Sequence, residues 1–261
     1  MPARRNGRPS KASPTVTSLY EMNASPREIL SSGAAELGIT LDGDQLRRFE
    51  SFTSLLLEWN RKVNLTRITD PCEIAVKHYL DSLSLLSVIE IPVGSRVMDV
   101  GSGAGLPGIP LKIARPDLKV TMLDSVRKRL LFIEAALPEL GIEDAEVVHA
   151  RAEDAARDPA YRERFDFTVS RAVARLAVLS ELCIPFCRVG GWFVAYKGPD
   201  VAAEVADADE GIRKLGAELV RTETLSLPGG NAGRTLVLIR KERRTSAGYP
   251  RKAGTPERQP L

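Results

Sequence analysis

At 261 residues and 43% apolar composition, the chain is long enough for one domain with a sizeable core and terminal appendages. It contains no apolar run near the roughly 18 residues of a membrane span. Its start, MPARRNGRPSKASP, lacks the apolar centre of a signal peptide, so the expected setting is the cytoplasm. Charge is uneven: residues 1–15 carry +4 and residues 240–261 carry +5, which leaves the body between them at −6 within a total of +3. Basic ends on an acidic body suit contact with a polyanion such as nucleic acid, a solvated arm being the alternative.

Ser25-Pro26-Arg27-Glu28 combines a capping serine, a proline at the first helical position and a glutamate at the third, and predicts a helix start. A second helix is expected from about Asp44, where Leu46, Phe49, Phe52, Leu55, Leu56 and Trp59 recur at the period of a buried helical face. Asp70-Pro71-Cys72-Glu73 repeats the start signal before an apolar helix containing His78, Leu83, Leu85 and Leu86. From Arg96 the pattern becomes short apolar strands alternating with amphipathic helices: RVMDV, KVTMLD, AEVVH, FDFTVS, GWFVAYKG, ELVRTETLSL and RTLVLIRK. Seven such strands predict a doubly wound α/β sheet. The last two are separated by Pro228-Gly229-Gly230-Asn231, too short for a crossover helix, so an antiparallel terminal hairpin is expected. Cys183 and Cys187 fall four apart on a predicted helix with no histidine nearby, which favours core packing over a metal or redox role; no metal site is expected.

The stretch VMDVGSGAGLPGIP after the first strand has two registers. From Gly103 it is the Gly-x-Gly-x-x-Gly of a dinucleotide site, which keeps an NAD(P)-dependent oxidoreductase open. From Asp99 it is Asp-x-Gly-x-Gly-x-Gly and resembles the first motif of S-adenosylmethionine (SAM) methyltransferases. A carboxylate at Asp99 suits the cationic end of SAM and would repel a pyrophosphate. Ligands of such sheets lie at the carboxyl ends of the strands, and three ends carry fitting residues. The glycine turn offers Gly101, Gly103 and Leu106; Asp124 can accept from ribose hydroxyls; the Ala152 amide and Glu153 carboxylate can read an adenine edge. Asp124 does not separate the two cofactors, and helix capping is its alternative role.

The fourth strand ends Ser170-Arg171-Ala172, unlike the Asp- or Asn-Pro-Pro-aromatic turn of enzymes that methylate base amines. Cys187 is a poor nucleophile for pyrimidine C5, because it follows Phe186 in a predicted helix. Chemistry without base or nucleophile fits better: a ring nitrogen such as guanine N7 has a free lone pair and needs only alignment. Arg171 is open between holding cofactor and holding substrate, and Lys197 is a candidate for substrate positioning against RNA phosphate, with a structural salt bridge as the alternative for each.

WNRKVNLT, KHYLDSL, MDVGSGAGLPGIPLKI, LDSVRKRLLFI, SRAVA, AYKG and the ending YPRKAGTPERQPL together resemble the bacterial RsmG, or glucose-inhibited division protein B, family of 16S rRNA guanine-N7 methyltransferases. The resemblance runs from about residue 25 to the end. It implies a class I, Rossmann-like core with a helical N-terminal extension, SAM as donor, and a guanine in the decoding region of 16S rRNA as acceptor. Carried onto this chain, its cofactor contacts fall at Gly101, Leu106, Ala152, Glu153 and Arg171. The expected division is a basic tail over 1–24, a helical segment over 25–92, the SAM-binding core over 93–241 and a basic tail over 242–261, working as a monomer on rRNA or the small subunit. DPAYRERFD lengthens the interval between Glu153 and Arg171. A SAM fold that binds RNA without catalysis is a second rival.

Overall fold

A computed structural model describes residues 24–171, 174–227 and 233–261. Residues 1–23 of the expected tail, Ala172 and the Pro228–Asn231 turn lie outside them. Helix α1 (Pro26–Glu36) starts at Ser25 with a complete capping box: Ser25 Oγ accepts from the Glu28 amide, and Glu28 accepts from the Ser25 amide. Helix α2 (Gly43–Asn60) begins just before the expected position, because Asp42 rather than Asp44 caps it and Gln45 closes the box. Leu46, Phe49, Phe52 and Leu56 of α2 are buried, each worth about 2 kcal/mol of apolar transfer.

The third helical run is not continuous. Helix α3 (Pro71–Ile74), capped by Asp70, passes into a π-helical turn, Ala75–Leu80, then α4 (Asp81–Leu83) and α5 (Leu85–Val88). Periodicity alone does not reveal that widened turn. It packs on α1 and buries Tyr79 between Phe49 and Phe52, whose ring centres are 4.9 and 5.6 Å away.

The sheet contains β1 (Arg96–Val100), β2 (Lys119–Asp124), β3 (Glu146–His149), β4 (Phe165–Ser170), β5 (Cys187–Lys197), β6 (Ala217–Ser226) and β7 (Gly233–Lys241), in the order 3-2-1-4-5-7-6. The first five strands run parallel, and β7 is antiparallel to both neighbours. Order reverses between β1 and β4, which opens a crevice at their carboxyl ends. Helices α6 (Gly108–Ala114), α7 (Arg127–Glu139), α8 (Ala152–Ala155), α9 (Leu176–Cys183) and α10 (Ala202–Lys214) connect the strands. One apolar layer joins α1, α2 and the π turn to the sheet; the other sits under α9 and α10.

Cys187 corrects one expectation: it lies at the start of β5, not within a helix. Pro185 sits in a single 3₁₀ turn, Ile184–Phe186, that ends α9. Residues 242–261 fold back beside α9 and α10, with Tyr249 and Leu261 against the second apolar layer and a last turn of helix, α11 (Thr255–Arg258).

Candidate functional site

The crevice holds a cavity of about 500 Å³ that brings together Gly101, Asp124, Ala152, Glu153 and Ser170 from the ends of four parallel strands. Its apolar wall comes from Val178, Leu179 and Leu182 of α9. Leu106 is buried in the glycine turn; Leu106, Gly103, Asp99, Arg171 and Lys197 do not line the cavity, each lying next to or bonded to a residue that does or belonging to the glycine turn at its edge.

Gly101, Gly103 and Gly105 have φ of 74°, 57° and 77°, a backbone that side chains resist, which explains the bare turn. Asp99 is fully buried beneath it. Its Oδ2 accepts from the Gly108 amide at 2.9 Å, and a Cβ at position 108 would lie 2.9 Å from the same oxygen, so only glycine allows this approach. Asp99 Oδ1 has no hydrogen-bond partner among the described residues. Burial raises the Asp99 carboxyl to about 7, against the Gly108 hydrogen bond and the charge of Arg171, both of which favour ionisation.

Asp124 closes β2 and is 4% exposed. Oδ2 accepts from the Gly103 amide at 2.9 Å and Oδ1 from the Val126 amide at 2.8 Å, so one side chain ties the glycine turn to the start of α7. A carboxylate has about four acceptor directions, so capping leaves capacity toward the cavity. Glu153, in α8, is also buried; its Oε1 accepts from the Gly254 amide at 2.8 Å. Asp124 and Glu153, two carboxylates that line the cavity, match a ligand rich in hydroxyl and amine donors, and the residues present therefore fit an adenosyl cofactor.

Arg171 turns away from the cavity toward the N-terminal segment. Its Nη1 donates to Asp81 Oδ2 at 2.8 Å and to the Lys77 carbonyl at 3.0 Å, and Nη2 is 3.3 Å from His78 Nδ1. Arg234 of β7 grips the same fully buried Asp81 through Nε at 2.5 Å and Nη2 at 2.9 Å. Burial and the Arg171 charge lower His78 to about 4, which keeps it neutral at physiological pH. Lys197 Nζ donates to the Ala174 carbonyl at 2.7 Å and pairs with Glu204 at 2.6 Å. Cys187, at the amino end of β5, is on the opposite edge of the sheet from the cavity, and burial pushes its thiol up to about 11. Cys183 is raised further, again by burial. No group of three or more metal-ligating side chains occurs among the described residues.

Sequence reasoning missed Asp81 and Arg234, although a lone acid inside the apolar run of KHYLDSLSLL is a signal of a buried partner. It also gave no role to Glu181, Arg251 or Gly254, whose partners are distant in sequence.

The family model "GidB: rRNA small subunit methyltransferase G" matches residues 45–232. The ribosomal RNA small subunit methyltransferase G of Desulforamulus reducens is 45% identical over 232 residues, covering 89% of this chain and 97% of that protein. That of Desulfitobacterium hafniense is 48% identical over 225 residues, covering 86% and 93%. Among solved structures, a putative methyltransferase from Haloferax volcanii, in complex with the activator Trm112, is 13% identical with TM-score 0.53, covering 74% of this chain and 98% of that one. TrmN from Thermus thermophilus is 17% identical with TM-score 0.51, covering 75% and 52%. These two show the fold, that of class I methyltransferases. The dinucleotide register of the glycine turn therefore falls away. The chain belongs to the rRNA small subunit methyltransferase G (GidB) family and is a SAM-dependent methyltransferase.

Proposed function

We propose that this enzyme methylates N7 of one guanine in the decoding region of 16S rRNA, as a cytoplasmic monomer. The observation that carries the reading is the cavity at the strand-order reversal, where the glycine turn, Asp124 and Glu153 converge. Bound SAM supplies an electrophilic methyl group. The Gly101 and Gly103 backbone and Leu106 form its floor, Asp124 accepts from ribose hydroxyls, and the Ala152 amide and Glu153 read the adenine edge. Asp99 serves the cofactor from beneath, by holding the glycine turn through the Gly108 amide. The family resemblance also assigns Arg171 to the cofactor, a contact it would make by exchanging the Asp81 partner that holds it away from the cavity.

N7 carries its own lone pair, so the protein has to align the base and exclude water rather than remove a proton. Cys183 at the end of α9 and Cys187 at the start of β5 are buried thiols with raised pKa, which argues against a covalent intermediate. Lys197 is the proposed contact to RNA phosphate, made by exchanging its Glu204 partner.

Labelled methyl transfer from SAM to small subunits from cells lacking this enzyme, followed by nucleoside separation, tests the reading. Label in 7-methylguanosine is expected. Label in any other nucleoside overturns the N7 assignment.

A further inference from the structure

The ending YPRKAGTPERQPL touches the site through the Gly254 amide and is bound to the core by many polar contacts. Arg162 donates Nη1 to the Tyr249 carbonyl at 2.9 Å and Nη2 to the carbonyls of Thr245 and Ser246 at 2.9 and 3.1 Å. Arg157 Nη2 donates to the Pro250 carbonyl at 2.5 Å. Glu181 of α9, fully buried, accepts from the Arg251 amide at 2.6 Å and from its guanidinium through both carboxylate oxygens, the shortest at 2.6 Å. Three residues further on, Gly254 donates its amide to Glu153. The α11 turn then places Pro256 and Glu257 in the cavity wall.

Gly254 has φ of 78° and nothing within 4 Å of where a Cβ would stand. Space does not demand glycine there; the left-handed backbone that aims the amide at Glu153 does.

We propose that residues 251–257 are a working part of the cofactor site. The Arg251–Glu181 pair anchors the segment, the Gly254 amide positions the Glu153 carboxylate, and Pro256 with Glu257 closes the adenosine side of the cavity. Gly254 and Arg251 are positioning residues, acting through Glu153. This rests on the reading of the cavity as the adenosyl pocket.

The test measures dissociation constants for SAM and for 5′-methylthioadenosine, which keeps the adenosine and lacks the amino-acid end, on full-length variants with thermal midpoints recorded alongside. Gly254→Val should weaken both ligands by a similar factor, about tenfold, the loss of one charge-assisted hydrogen bond. KM for SAM should rise while KM for rRNA stays. Gly254→Asn, which tolerates the left-handed region, should restore most of the affinity. Arg251→Met should act like Gly254→Val and Arg251→Lys more mildly; if Arg251→Met does not fold, the Gly254 pair decides. Unchanged affinities in folded Gly254→Val overturn the proposal, as does weakening of SAM alone. Asp124→Ala is the control: if it too leaves both ligands unaffected, the pocket reading itself has failed, and the proposal fails with it.

Discussion

Two buried carboxylates fasten the N-terminal helical segment and the C-terminal segment to the core, and they do so under different physics. Asp81 lies in the N-terminal helical run and accepts from Arg171 and Arg234; Glu181 lies in α9 and accepts from Arg251. Around Asp81 the docking surface is apolar: Ile29, Phe49, Phe52, Tyr79 and Leu80 are nearly or fully buried. Around Glu181 the C-terminal segment adds Tyr249 and Leu261 to the apolar layer and buries Pro256, and arginine hydrogen bonds to carbonyls and to Glu181 supply the directional holding. The N-terminal segment is therefore expected to be part of the cooperative core, and the C-terminal segment to be attached by directional contacts that align a few atoms at the cavity. A polar attachment gives weaker overall stabilisation and tighter local geometry.

The sharpest way to break the contrast is to remove each anchor. Asp81→Ala strands two guanidinium groups in a mostly buried place and should cost about 3–5 kcal/mol in urea unfolding. Phe52→Ala, at a fully buried ring, should cost a similar 3–5 kcal/mol. Small losses from both would mean that the N-terminal segment is not integral to the core.

Glu153→Ala should leave the unfolding midpoint nearly unchanged and weaken SAM binding by roughly 1.5–3 kcal/mol in titration calorimetry. An unaltered dissociation constant would remove Glu153 from the site.

A pH series sharpens the comparison at the turn. Asp99 titrates at about 7 in the folded protein against an ordinary value of 3.8, so folding takes up a proton between those values. Its contribution to stability falls as pH rises from about 4 to about 7 and is level above. Asp99→Asn should thus gain stability relative to the parent over that window. His78 has the opposite sign: with a folded value of about 4 against 6.5, it withdraws stability as pH falls from 6.5 to 4. His78→Gln should flatten the acid side of the parent profile.

The smallest expected effect is at the N-terminus. Deleting residues 1–15 removes four basic side chains and should lower the salt dependence of RNA binding while leaving SAM affinity alone. Equal salt slopes with and without the segment would make it a solvated arm.

Much of the site was legible because its parts are local. A glycine run needs no distant residue to show that a backbone must be bare; Asp99 and Asp124 stand in the last two residues of recognisable strands and Glu153 follows one, so topology alone carries them to the same end of the sheet. The capping box at Ser25 and the Asp70 cap are readable for the same reason, since their hydrogen bonds span three residues. The exact cap of α2, the π turn and the break at Pro185 were not, because competing local signals there are settled by packing.

The sequence by itself determined the α/β order, the bare glycine turn and the family, through periodicity and short motifs whose physics is contained within a few residues. Tertiary structure alone decided what the charged side chains do. Arg171 meets Asp81 across 90 residues, Arg251 meets Glu181 across 70, and the Gly254 amide meets Glu153 across 101. A charge in a sequence is free to choose water or any opposite partner, and only the folded chain, by burying both members of a pair, makes that choice.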